Sequence, residues 1–380
     1  VHVTVVSSSL DPWTVPGRSD WCGRAGHLRQ AVMMLDEAGI RSEAVVPGGA
    51  DSVESGVPAH RVRVDPAGDP GATVEMLTRR LRALWRDGLP DVVHAHHWTA
   101  ALAARQAAGS ARLPLLLTVF ASERESAGDR AAMQRAMKRD ADRVLVTGSA
   151  DHRALLGDGV VPERLDIRPI AVDVDVFRPD GPALRPVDHP RLVTIDGLDP
   201  GSGAGHAITA LSGVPGAELL VAGGRPAGEP DPDRDRLFAL ATRHGVAGRV
   251  RFVGPVARAD VPRLLRSADV VVCAAPKWSA GTAALEAMAC GRAVVASSAG
   301  PQADVVVDQV SGLVVAPRDD RALLRAVRET LEHRCRREAF GIAGRNRAVA
   351  MYDRSAAGGA LLAAHRVAAG MRSGESAAAS

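Results

Sequence analysis

Short apolar runs alternate with helix-spaced segments along almost the whole chain, and that alternation leaves few folds open. In the first half, strands are expected at residues 1–6, 42–46, 92–95, 115–119, 143–147 and 166–169. Helical periodicity lies between them at 26–38, 73–86, 99–108, 130–140 and 150–156. The second half repeats the pattern, with strands at 191–195, 218–223, 250–253, 270–273, 293–296 and 313–315. Its helices are expected at 205–211, 233–244, 261–267, 282–289 and 321–333, and a last one at 355–369. Strands that each feed a helix predict a parallel sheet covered on both faces. A Pro-rich, aperiodic stretch at 176–190 separates the halves. The expected domains are therefore 1–180 and 190–350, with a terminal helix within 351–370.

With 380 residues, 46% of them hydrophobic but only 3% aromatic, two cores must be built from Ala, Val and Leu. The 47 basic and 44 acidic residues nearly cancel to +3, and no basic block is interleaved with aromatics, which argues against nucleic-acid binding. No apolar run reaches the roughly 18 to 20 residues of a membrane span. The first residues read as a strand rather than a secretory leader. Cys22, Cys273, Cys290 and Cys335 show no metal-like spacing, and reduced thiols in a cytoplasmic protein are expected.

Several segments carry chemistry. Glu286 lies in Leu285-Glu286-Ala287-Met288-Ala289-Cys290-Gly291, read as an acid in the first turn of a helix, where the dipole favours it. Gly281, Thr282 and Ala283 precede it, and their N–H groups at a helix start suit a phosphate. His96 ends a strand of the first sheet, where open parallel sheets bind ligands, with His97 and Trp98 following. The run His94-Ala95-His96-His97 lacks an acidic partner motif, and no metal is expected.

These segments, together with Asp91-Val92-Val93-His94-Ala95-His96-His97-Trp98, Val172-Asp173-Val174-Asp175-Val176-Phe177-Arg178-Pro179, Arg263-Leu264-Leu265-Arg266-Ser267-Ala268-Asp269-Val270 and Ser311-Gly312-Leu313-Val314-Val315, stand in family order. The chain resembles the large family of retaining GT-B glycosyltransferases (family 4 type). It is similar in particular to the actinobacterial branch around mycothiol glycosyltransferase and sucrose-phosphate synthase. The resemblance implies an α/β fold of two Rossmann-like domains facing across a cleft, with the final helix crossing back to the first. It implies a nucleotide sugar as co-substrate, a small-molecule acceptor, no cofactor, and a homodimer or an active homologue as a conceivable partner. Glu286 would bind the ribose hydroxyls, His96 would contact the transferred sugar, and Gly23, His97 and Trp98 would line the acceptor side.

The pattern breaks where the family neutralises the donor diphosphate. Gly197 and Ser202 stand at the positions of its Arg and Lys, Trp278 replaces the acid eight residues before Glu286, and Phe120 replaces a histidine. The turn before Val172 reads Ile170-Ala171, and the Gly-rich loop after the first strand reads Asp20-Trp21-Cys22-Gly23-Arg24. A charge-assisted hydrogen bond is worth about 1.5 to 3 kcal/mol, so two lost contacts weaken donor binding by roughly 10²- to 10⁴-fold. Lys277 and Arg225 are the cations expected to compensate. Three readings stay open on the residues alone: a divergent transferase of specialised metabolism, a non-catalytic partner or nucleotide sensor, and an enzyme with a different leaving group.

Overall fold

The computed structural model describes all residues except 10, 14–23, 66–67, 121–128, 196, 227 and 379–380. The chain divides into two units: Val1–Thr14, Arg24–Pro169 and Ala357–Ser380 form the first, and Ile170–Ala356 the body of the second. Each is built on its own parallel sheet.

The first unit runs β1 (His2–Ser7), α1 (Arg24–Glu37), β2 (Arg41–Pro47), β3 (Ser52–Glu54), β4 (Val57–Val62), α2 (Pro70–Leu84), β5 (Val92–His96), α3 (Trp98–Ala108), β6 (Leu115–Val119), α4 (Asp129–Asp140), β7 (Arg143–Val146), α5 (Ser149–Gly157) and β8 (Leu165–Ile167). Its strand order is β3-β4-β2-β1-β5-β6-β7-β8. The central strands β5 and β6 are buried at every residue, as continuous apolar runs in a doubly covered sheet must be. Residues 52–62 show no clean apolar run, because Pro58, His60 and Arg61 interrupt it. They pair all the same: β4 adds parallel to β2, and β3 folds back antiparallel at the edge. Pro58 is tolerated at the start of β4 because the ladder to β2 begins only at Ala59, so the proline pairs on one side alone, with Val53 of the edge strand.

The second unit runs β9 (Arg191–Ile195), α6 (Ala204–Leu211), β10 (Glu218–Ala222), α7 (Pro232–Arg243), β11 (Val250–Gly254), α8 (Val261–Arg266), β12 (Val270–Cys273), α9 (Thr282–Ala289), β13 (Ala293–Ser297), α10 (Gln302–Val305), β14 (Leu313–Val315), α11 (Asp320–Glu332) and α12 (Arg334–Tyr352). The strand order β11-β10-β9-β12-β13-β14 reverses direction between β9 and β12. In the first sheet the same reversal falls between β1 and β5. Ligands of open α/β sheets bind at the carboxyl ends of the strands flanking such a reversal. The last helix, α13 (Arg354–Ala378), belongs to the first unit from Ala357 onward.

Helix α12 has no sequence forecast, since Arg residues and two glycines blur its periodicity. The glycines are what seat it. A Cβ on Gly341 would fall 2.3 Å from the Gly291 carbonyl oxygen, and one on Gly344 would press on Met288. The stretch 170–190 is held against the second unit rather than hanging between halves. Phe177 is buried with Leu264, Leu265 and Leu285. The Arg266 guanidinium donates to the carbonyls of Val176, Arg178 and Pro182, and Arg345 donates to those of Val174, Phe177 and Ala289. Cys273 and Cys290 are buried and not joined in a disulfide, and burial pushes the Cys290 thiol up to about 12, so it is inert near neutral pH. Among the described residues no helix is long and apolar enough to cross a membrane.

Candidate functional site

In the second unit the site is built where β12 and β13 end. Gly281 caps α9 with φ +82°, and a Cβ there would lie 3.0 Å from both Gln302 Cα and Val305 Cγ2, so only glycine fits. Its N–H donates to Ser279 Oγ at 3.2 Å. The buried Gln302 amide donates to the Cys273 carbonyl (2.8 Å) and the Ser297 carbonyl (2.9 Å), and Ser297 Oγ donates to the Ala275 carbonyl (2.6 Å). Two strand ends and the loop carrying Lys277 and Trp278 are thereby fixed together. The first N–H groups of α9, at Thr282 and Ala283, point outward from a helix start and have no intrahelical acceptor. The Thr282 hydroxyl is buried without a hydrogen-bond partner.

Glu286 differs from its sequence reading. Helix α9 begins at Thr282, so Glu286 stands in the second turn and the first turn carries no acid. The dipole at the helix start is not what holds it. The residue is 1% exposed, and Arg258 Nη2 lies 2.6 Å from its Oε1. Neither carboxylate oxygen receives an aligned hydrogen bond, so the pair is close in charge but open in geometry. Arg258, from the segment after β11, also lies over the Phe177 ring with its Cζ 4.5 Å from the centroid. Burying a lone carboxylate is costly, and the guanidinium is what makes this position tenable. Sequence reasoning missed Arg258, one arginine in an Arg-rich chain. Its sole signal was a place after the carboxyl end of a strand.

The other predicted positions spread along the same edge. Gly197 and Ser202 occupy the turn from β9 to α6, both buried, with the Ser202 hydroxyl unpartnered. That turn packs on the loop after β12, since a Cβ on Gly203 would meet the Ala274 backbone at 2.7 Å. Trp278 packs on Gly300, whose Cβ would meet the indole at 2.7 Å. Lys277 is exposed on the same loop. Arg225 is exposed on the turn after β10, with its N–H donated to Asp231 Oδ2 at 2.8 Å. The two cations expected to compensate are thus on the surface, and the cation that meets the buried acid is Arg258.

In the first unit, Ser7 pairs with His96 across β1 and β5, at the point where the strand order reverses. His96 is 2% exposed and neither ring nitrogen has a hydrogen-bond partner. It belongs to a cluster of four buried imidazoles: His94 at 4.5 Å, His27 of α1 at 5.8 Å, and His365 of α13 set edge-on 5.0 Å from His94. Burial first, and then mutual repulsion, hold His94 and His96 well below the usual histidine range, so His96 is neutral near pH 7. Phe120 packs edge-on against His27 at 5.7 Å. His97 caps α3 with φ +93°, a strained setting for a residue other than glycine. Its Nδ1 lies 2.6 Å from Thr99 Oγ1 and 3.3 Å from Ser8 Oγ.

Trp98 does not join His96. Its indole belongs to the apolar core with Val93, Ala95 and Leu117, on the other face of the sheet from the imidazoles. There it lines a cavity of about 620 Å³ along α2, α3 and α4, with Val74, Thr78, Leu102 and Met133. Gly23 lies outside the described residues. No group of three or more His, Cys, Asp or Glu side chains among the described residues is arranged to hold a metal.

Two Rossmann-like units with ligand-ready strand ends define the GT-B class, and comparison with known proteins bears this out. Residues 23–171 match the glycosyl transferase 4-like domain, and residues 182–347 match the glycosyl transferases group 1 family. The chain belongs to this family of two-domain glycosyltransferases. It is 28% identical over 348 residues to D-inositol 3-phosphate glycosyltransferase of Mycobacterium tuberculosis, covering 83% of this chain and 72% of that one. Among solved structures, sucrose-phosphate synthase from Thermosynechococcus elongatus superimposes with a TM-score of 0.86 at 22% identity, over 96% of this chain and 98% of that one. Anabaena HepE in complex with UDP and glucose gives 0.77 at 18% identity, over 95% and 98%.

Proposed function

We propose that the protein transfers a glycosyl group from a nucleotide-linked sugar to a small-molecule acceptor, in specialised metabolism within the cytoplasm. Family membership supports the reaction class. The observation that carries the reading is Glu286: a carboxylate 1% exposed, at the carboxyl edge of the second sheet, with two oxygens that accept no aligned hydrogen bond. Two adjacent sugar hydroxyls are the donors that satisfy such a group. In this reading the ribose of the donor binds Glu286, and the N–H groups at Gly281, Thr282 and Ala283 receive a phosphate. Lys277 and Arg225 add positive potential from the rim. His96 faces the transferred sugar as a neutral imidazole, with Gly23 and His97 on the acceptor side, while Trp98 stays in the apolar core of the first sheet. The bond from the anomeric carbon to the diphosphate breaks, a bond to the acceptor oxygen forms, and the acceptor's proton leaves with the diphosphate.

A second reading, a nucleotide-binding member that does not turn over, is favoured by one observation. Uncharged Gly197, Ser202 and Trp278 occupy the edge where a leaving diphosphate needs neutralising. Thermal shift with UDP-, GDP-, ADP- and TDP-sugars, followed by assay of nucleoside diphosphate release, separates the two. A ligand at 100 times its Kd adds about 2.7 kcal/mol of stability. Stabilisation with release supports transfer, stabilisation without release supports the binder, and a flat panel rejects both.

A further inference from the structure

We infer that Arg258 is an exchangeable counterion: it neutralises Glu286 while the site is empty and turns to the donor's phosphates when a ribose takes the carboxylate. The inference rests on the reading of Glu286 as the nucleotide's ribose ligand. Its starting point is the ion pair itself. Arg258 Nη2 stands 2.6 Å from Glu286 Oε1 without an aligned hydrogen bond, so the contact is electrostatic and leaves both carboxylate oxygens open to better donors. Glu286 is sealed in the core, whereas the Arg258 side chain is 35% exposed. The arginine is therefore the partner able to leave.

The guanidinium also lies over the buried Phe177 ring, a cation–π contact that supports the charge independently of the carboxylate. The requirement for a cation is independent of this geometry. A diphosphate bound at the carboxyl ends of β9 and β12 meets Gly197 and Ser202, which carry no charge. Lys277 and Arg225 stand exposed, while Arg258 already reaches the nucleotide's expected ligand. A guanidinium displaced by ribose hydroxyls is released beside the phosphates of the same ligand. Ribose binding and phosphate neutralisation become one event. A nucleoside without phosphates would have to break the pair and receive nothing in return.

The test compares uridine with UDP, or the matching pair for whichever base the donor panel selects. Titrations use the full chain and its Arg258→Ala and Arg258→Lys variants. Arg258→Ala is expected to weaken UDP by about 10- to 100-fold, the worth of one charge-assisted contact, while uridine binds equally or more tightly. Arg258→Lys, which keeps the counterion for Glu286 and so protects the fold, is expected to hold UDP within about 10-fold of the unmodified protein. Equal weakening of both ligands in folded Arg258→Ala, or no change in either, overturns the exchange and leaves the donor reading standing. If no nucleotide binds the unmodified protein, the donor reading fails first and the exchange with it.

Discussion

The rings of His94 and His365 lie 5.0 Å apart and nearly perpendicular, joining the last helix to the first sheet through two side chains that must stay uncharged. His365 Nδ1 donates to the Leu361 carbonyl at 2.9 Å, and His94 Nε2 meets Thr118 Oγ1 at 2.8 Å. Around them stand His96, His27 with the Arg168 backbone, and the Phe120 ring.

This cluster predicts a falling stability in mild acid. Burial pushes His27 and His365 down to about 4, from 6.5 when unfolded. The unfolded chain therefore binds more protons as pH drops through 6.5, and the stabilisation present above 6.5 is lost progressively toward 4. His27 alone is worth on the order of 3 kcal/mol across that window. His60, raised by its hydrogen bond to Glu43, works in the opposite sense and softens the slope. Urea midpoints at pH 7.5, 6 and 5 should decline, and His27→Phe should flatten the decline. An unchanged slope in that variant would refute the assignment.

Gln302→Leu should cost about 1 to 3 kcal/mol, because the buried carbonyls of Cys273 and Ser297 lose their donor. Chemical denaturation measures this. The same variant should raise the Kd for any donor, since the loop bearing Lys277 and Trp278 is released.

Gly281→Ala forces a Cβ onto φ +82° and into Gln302 and Val305. A loss of about 1 to 2 kcal/mol is expected, with donor affinity falling at least tenfold as the start of α9 shifts. Normal donor binding by this variant would show that the helix start is not a phosphate site.

Glu286→Gln keeps shape and removes charge. Fold stability should change by less than about 1 kcal/mol, because Arg258 can turn to solvent, while nucleotide affinity falls by about 10- to 100-fold. Parallel melting and titration curves distinguish this from unfolding.

Gly197→Arg combined with Ser202→Lys places two cations at the carboxyl end of β9. An affinity gain of at least tenfold for UDP over uridine is expected, measured calorimetrically. Ser202 is buried, so the lysine must extend outward along the turn. No gain would place the phosphates elsewhere along the sheet edge.

Much of this molecule is written locally. Runs such as Val92–His96 and Leu115–Val119 are apolar throughout, and only a strand covered on both faces can use them. Their alternation with helices dictated two parallel sheets, and Leu285–Gly291 marked the end of the sheet where a ligand would sit. Side-chain pairing across the fold is not local. Arg258 meets Glu286 because the loop after β11 and the helix after β12 converge at one edge, and no periodicity encodes that distance. The imidazole cluster draws on α1, β5 and α13, elements far apart in the chain. His96 and Trp98, neighbours in sequence, part to opposite faces of the sheet because the strand ends between them. Burial and charge compensation depend on which surfaces meet, and only the packed chain decides that.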